Sequence, residues 1–128
     1  MICNETNISK VSDVLVAQGA QVLVALSNDG WFRNSELIKK FHFMQARLRA
    51  VEQRKDFVIN ANCGYSGKIS ANGKIDIQEF SERLNVLKVK ICLNRFNTIY
   101  KKKYNMITLF PHLLKLNLIF YMVVYLLI

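Results

Sequence analysis

The chain is short of acid, cysteine and histidine, and each shortage removes a class of function. Its 128 residues carry 9 Asp and Glu against 18 Lys and Arg, with 3 Cys and 2 His. Cys3, Cys63 and Cys92 share no metal-like spacing, their number is odd, and both histidines lie far from any cysteine pair. A zinc site and a complete disulfide framework are therefore not expected, and no metal or cofactor is called for. The opening residues Met1-Ile2-Cys3-Asn4-Glu5 lack the charged start and long apolar core of a secretory signal. There is no internal repeat or low-complexity stretch. A composition that is 52% hydrophobic and 11% aromatic excludes disorder, and the length fits one domain.

The shortage of acid is local. Through Glu79 there are ten basic residues against eight acidic ones, and from Phe80 onward eight against one. A basic tail could meet nucleic acid or anionic lipid. The apolar end that follows it favours lipid, so a membrane is expected as partner and nucleic acid is not.

What is present reads as α/β. The run Gln21–Ser27 is almost wholly apolar and predicts a strand buried on both faces. It ends at the turn former Asn28-Asp29-Gly30 and then presents Trp31-Phe32. Ligands of open α/β sheets collect beyond the carboxyl ends of the strands, which marks Asn28–Phe32 as a candidate site. Before the strand, Ile8, Val11, Val14 and Leu15 give helical spacing to Ile8–Gln18, with Asn7 as N-cap and Gly19 as stop. After it, Asn34 or Ser35 can cap a second helix, whose Leu37, Phe41, Met44, Leu48 and Val51 form one apolar stripe. On that helix His42, Gln45, Arg49 and Glu52 share a second face, where Arg49 and Glu52 can pair. Phe57–Ala61 is the next strand, broken at Asn62-Cys63-Gly64-Tyr65. Ala71-Asn72-Gly73 between short β segments is a strong hairpin signal. The polar stretch Gln78–Arg83 reads as a connector, and Leu87, Val89 and Ile91, alternating with Lys88 and Lys90, read as an edge strand. The expected domains are an α/β part over 1–92, a basic connector over 93–105, and an apolar segment over 106–128 long enough to cross a bilayer.

Three stretches together carry a resemblance. They are Ile2-Cys3-Asn4-Glu5, Ser27-Asn28-Asp29-Gly30-Trp31-Phe32, and His42 with Ala46-Arg47-Leu48-Arg49-Ala50-Val51-Glu52. With Ala61-Asn62-Cys63-Gly64-Tyr65-Ser66 and the hairpin after it, this order resembles the C-terminal part of the apolipoprotein N-acyltransferases. That family is a membrane branch of the nitrilase-like carbon–nitrogen hydrolase superfamily. The resemblance implies a partial nitrilase-like α-β-β-α sandwich followed by a C-terminal transmembrane helix. It also implies a place in the bacterial inner membrane, with the catalytic part facing the periplasm. The implied reaction moves an acyl chain from a phospholipid donor to a cysteine thioester, and then to the N-terminal cysteine amine of an apolipoprotein acceptor. Cys3 matches the nucleophile, Glu5 the acidic residue two places on, and Trp31 the aromatic of the substrate loop.

Three departures accompany the match. The family's catalytic Glu and Lys lie upstream of the nucleophile, which implies a C-terminal fragment, inactive alone, whose partner is a missing N-terminal half. Asn4 stands where Tyr is usual. Lys101–Lys103 precede the terminal segment on the side that the family places in the periplasm, against the positive-inside tendency. Two other readings stay open: a fragment of a soluble nitrilase or amidase-type hydrolase, and a non-catalytic tail-anchored interaction module.

Overall fold

The structure, a computed structural model, describes residues 1–81, 85–96 and 98. Its elements all lie in one unit, Met1–Asn97. A 3-10 turn over Cys3–Asn7 leads into α1 (Ser9–Ala17), then β1 (Val22–Asn28) and a second 3-10 turn over Asp29–Phe32. The long helix α2 (Glu36–Gln53) follows, then β2 (Asp56–Asn62), β3 (Gly64–Ile69) and β4 (Ile75–Ser81). The strands form one sheet in the order β1-β2-β3-β4. β1 and β2 run parallel, joined by α2 as a crossover, and β2, β3 and β4 run antiparallel. Ile2 adds a parallel bridge to Leu26 on the outer side of β1.

The core lies between the two helices and one face of the sheet. Leu23 and Ala25 of β1 stand in register with Phe57 and Ile59 of β2, and all four are buried with Phe43, Ala46 and Ala50 of α2. Alanines at positions 46 and 50 let α2 sit close to the sheet, because a short side chain leaves room for the strands. Gln53 donates to Asp13 at 2.5 Å and ties α2 to α1.

One expectation about burial is corrected. β1 is buried on one face only: Val24 and Leu26, 46% and 56% exposed, point away from the helices. The helices cover one side, and the alternation of a strand sends every second residue to the other. Most of the apolar stripe of α2 is exposed as well, although its Met44 packs against the core. Leu37 and Phe41 are 79% and 63% exposed, and Leu48 and Val51 also face outward. The buried face is the second one, carrying Lys39, His42, Phe43, Ala46, Arg49, Ala50 and Gln53. Arg49 does meet Glu52, at 2.9 Å from Nε to Oε2 and 3.0 Å from Nη2 to Oε1, but on this buried side.

The remaining boundaries follow local chemistry. Ile8, not Asn7, caps α1, since the Asn7 amide donates to Asn4 Oδ1 at 3.0 Å. Gly19, at φ +100°, follows the end of α1 as expected. Ser35 holds the cap position of α2 without a side-chain bond, and the Glu36 carboxylate accepts from the Tyr65 hydroxyl at 2.6 Å instead. The hairpin turns at Gly73, φ +86°, a conformation a side chain resists. β4 then runs on to Ser81, so Gln78–Ser81 is strand rather than connector. Its polar residues are tolerated because it is an edge strand. Residues 85–96 hold no strand, so Leu87, Val89 and Ile91 form irregular chain.

Among the described residues no helix is long and apolar enough to cross a membrane. The expected span over 106–128 lies outside the described residues, as does most of the connector over 93–105.

One ionic cluster locks the hairpin. Lys68 Nζ stands 2.7 Å from Asp76 Oδ2 and 3.2 Å from Asp56 Oδ2. Asp56 also accepts the backbone N–H of Ala71 at 3.0 Å and of Cys92 at 2.8 Å. The hydrogen bond to Asp76 raises Lys68 above the usual lysine range, and Lys68 holds Asp76 below the usual carboxylate range. Lys68→Met leaves buried Asp56 without its cation and should cost roughly 2 kcal/mol, less than a fully buried pair because Asp76 is partly wetted. Urea denaturation reads this loss. A depressed carboxyl contributes stability above its unfolded value that is lost as pH falls through the folded one. Acid sensitivity below the ordinary aspartate range should therefore weaken in the same variant.

Candidate active site

The candidate residues gather where the parallel strands end. Cys3 directly follows Ile2, which pairs with Leu26. Trp31 lies in the turn that directly follows β1. Both turns thus leave the same rim of the sheet. The N-terminal segment is pinned there: the Met1 amine donates to the Val24 carbonyl at 2.9 Å, and the Leu26 N–H donates to the Met1 carbonyl at 3.1 Å.

Cys3 opens its turn in a left-handed conformation, φ +47°. A non-glycine residue pays for that geometry, and such strain concentrates where a side chain must be presented. The thiol is partly exposed and in no disulfide. Glu5 bends back on the same turn, its Oε2 accepting the Ile2 N–H at 2.7 Å. Its carboxylate holds the backbone around Cys3. Trp31 is 81% exposed, an indole left in water at the rim, while its neighbour Phe32 packs edge-on to His42 at 5.9 Å between ring centroids.

A buried polar chain joins the two turns, and the sequence reading did not find it. Asp29 is 1% exposed and His42 is 3% exposed. Asp29 Oδ1 accepts from the Ser27 hydroxyl at 2.6 Å and lies 2.9 Å from His42 Nδ1. His42 Nε2 reaches the Cys3 carbonyl oxygen at 3.4 Å. The Asp29 hydrogen bond raises His42 above the ordinary histidine range, against the opposing effect of burial, and the Asp29 charge and Cys3 carbonyl add to the rise. Reading Asp29 as part of a turn former, and His42 only as a member of the second face of α2, missed this pairing. The available signal was the period of the second face of α2, where His42, Ala46, Arg49, Ala50 and Gln53 recur at helical spacing.

A cleft of about 720 Å³ opens elsewhere, lined in part by Leu26, Val58, Asn60, Asn62, Cys63 and Val86. Its lining includes neither Cys3 nor Trp31. Among the described residues no group of His, Cys, Asp or Glu could hold a metal ion.

The sequence has relatives of known name. No protein-family model matches the chain. It is 38% identical over 74 residues to the apolipoprotein N-acyltransferase of Thermotoga maritima, covering 58% of the chain and 14% of that protein. It is 30% identical over 105 residues to that of Chlamydia pneumoniae, covering 77% of the chain and 19% of that protein. It is 42% identical over 57 residues to that of Aquifex aeolicus, covering 44% and 13%. The chain therefore spans less than a fifth of the length of these curated relatives. It is a mixed α/β relative, over that short share of their length, of the apolipoprotein N-acyltransferases.

Proposed function

We propose that this chain is the nucleophile-bearing, C-terminal part of an apolipoprotein N-acyltransferase. Cys3 is the nucleophile, and Trp31 lies at the entry for the acyl substrate. The Cys3 sulfur, as thiolate, attacks the ester carbonyl of a phospholipid acyl chain. A thioester forms as the acyl ester bond breaks, and the lysophospholipid alkoxide leaves, taking up the proton that the thiol gave up on ionising. The α-amine of a lipoprotein's N-terminal cysteine then attacks the thioester. An amide forms, and the Cys3 thiol is regenerated. The observation that carries this reading is the strained Cys3 turn at the strand ends, tied through His42 and Asp29 to the turn that bears Trp31.

Glu5 takes the role of holding that turn, through its bond to the Ile2 N–H. The resemblance puts an activating Glu and Lys upstream of the nucleophile, so in this reading thioester formation on Cys3 depends on a segment that supplies them. The same segment supplies the second sheet of the sandwich. The uncovered face of β1, with Val24 and Leu26 half in water, supports this, since apolar faces of that kind call for a cover. The proposed location is the bacterial inner membrane, with the sandwich facing the periplasm. The test is thioester formation on Cys3 from a phospholipid donor, compared between this chain and one with an upstream half restored.

A further inference from the structure

His42 spends two ring nitrogens on one task. Its Nδ1 lies 2.9 Å from Asp29 Oδ1 and its Nε2 3.4 Å from the Cys3 carbonyl oxygen. Both of these acceptors are oxygens that cannot donate, so both ring nitrogens must carry hydrogen for the two contacts to hold together. The ring therefore bridges two segments that the chain separates by 26 residues, one beginning at Cys3 and the other at Asp29. Phe32 closes over it edge-on. We propose that His42 is a positioning residue, fastening the Cys3 turn to the Asp29–Phe32 turn by donating to the Asp29 carboxylate and to the Cys3 carbonyl. This rests on the reading of Cys3 as the nucleophile. A carbonyl held at that point fixes the left-handed backbone of Cys3 and with it the direction of the thiol. Nothing in the established pairing of helix and sheet requires that second contact.

The clamp depends on pH with a definite sign. Asp29 is the charged group facing His42 from the Asp29–Phe32 turn, Ser27 faces it from β1, and the Cys3 thiol belongs to the residue it meets in the first turn. On α2 itself, Lys39 is turned onto the Phe80 ring and Glu36 onto Tyr65. In the first turn, Glu5 is engaged by Ile2. The folded value of His42 lies above the ordinary histidine value of 6.5. The clamp is then fully formed below about pH 6.5 and is lost as pH rises through the folded value. The neutral ring keeps its hydrogen on Nδ1 for Asp29, and Nε2 turns a lone pair toward the carbonyl.

Nitrogen and carbon NMR of the full chain in detergent micelles tests this. His42→Ala and His112→Gln assign the signals of the two histidines. At pH 6 both nitrogens of His42 should carry protons, and the carbonyl carbon of Cys3 should titrate with the same midpoint as the ring. Asp29→Asn, which keeps the volume, should lower that midpoint, and it serves if His42→Ala fails to fold. In the protein with an upstream half restored, His42→Ala should slow thioester formation about tenfold, and the wild-type rate should fall with pH at the His42 midpoint. A neutral His42 ring at pH 6, or a Cys3 carbonyl that ignores the titration of His42, overturns the proposal. Failure of the nucleophile assignment looks different: Cys3→Ala would keep acyl transfer while the Cys3 carbonyl still followed His42.

Discussion

Gly64→Ala should cost about 3 kcal/mol of stability, within the range for overpacking and for disturbing a buried ion pair. A Cβ on Gly64 would collide with Asp29 Oδ2 and stand 2.9 Å from the Asp29 Cγ and 2.8 Å from its Cβ. An exposed carboxylate would swing aside. Asp29 is 1% exposed, and its other oxygen is held by the Ser27 hydroxyl and by His42, so moving it breaks bonds that nothing replaces. Thermal and urea unfolding followed by circular dichroism give the magnitude. A double-mutant cycle with Asp29→Ala gives the cause. Removing the carboxylate deletes two of the three close contacts, so the double variant should fall short of the sum of the singles by about 1 kcal/mol. Additive losses would mean that the methyl collides with something other than Asp29. Gly64→Ala should also loosen the Cys3 turn, because it displaces the Asp29 carboxylate that orients His42.

The legible parts of the fold were those with a short period or a strong local signal. β1, β2 and the hairpin at Gly73 lie within a residue or two of expectation, because a short apolar run and Asn-Gly are readable over a few positions. Helix α2 was legible in extent but not in orientation. Both its faces carry apolar residues, and the larger set, Leu37, Phe41 and Leu48, is the exposed one. A sequence pattern reports where apolar residues cluster. It does not report which cluster faces the sheet, and here close approach selected the alanines. The expected edge strand over residues 87–91 failed for a related reason: alternation marks which residues could face a core but supplies no hydrogen-bonding partner, and residues 85–96 run as irregular chain.

The site divides in the same way. Cys3, Glu5 and Trp31 were named from the wording of short motifs, and the turns that bear them leave one rim of the sheet. Asp29 and His42 were not found as a pair, since they stand 13 residues apart and His42 is 39 residues from Cys3. Only the path of the chain through β1, its terminal turn and α2 brings them together. The apolar continuity of Gln21–Ser27, which predicted cover on both faces, was accurate about chemistry and wrong about this unit. The second face carries Val24 and Leu26, which stay about half exposed.

With an upstream half restored, the protein should form a thioester on Cys3 when given a phospholipid, and the 128-residue chain should form none. Cys3→Ala in the restored protein should lower transfer to a lipoprotein amine about a thousandfold or more, as removal of a covalent nucleophile does elsewhere. The other thiols provide the control. Cys63 lines the cleft that does not include Cys3, and Cys92 is exposed, so Cys63→Ala and Cys92→Ala should leave the thioester intact. Mass spectrometry of the acylated chain locates the adduct, and release of lysophospholipid counts the turnovers. Acyl transfer by the chain alone would refute its dependence on an upstream half. Undiminished transfer by Cys3→Ala would refute the nucleophile. A thioester on Cys3 that water, rather than an amine, discharges would move the assignment to a hydrolase of the same chemistry. The Trp31 turn bears on that choice, because an 81% exposed indole has no packing role within the unit. Trp31→Ala should therefore leave unfolding unchanged while lowering the rate with a phospholipid donor more than with a small water-soluble thioester.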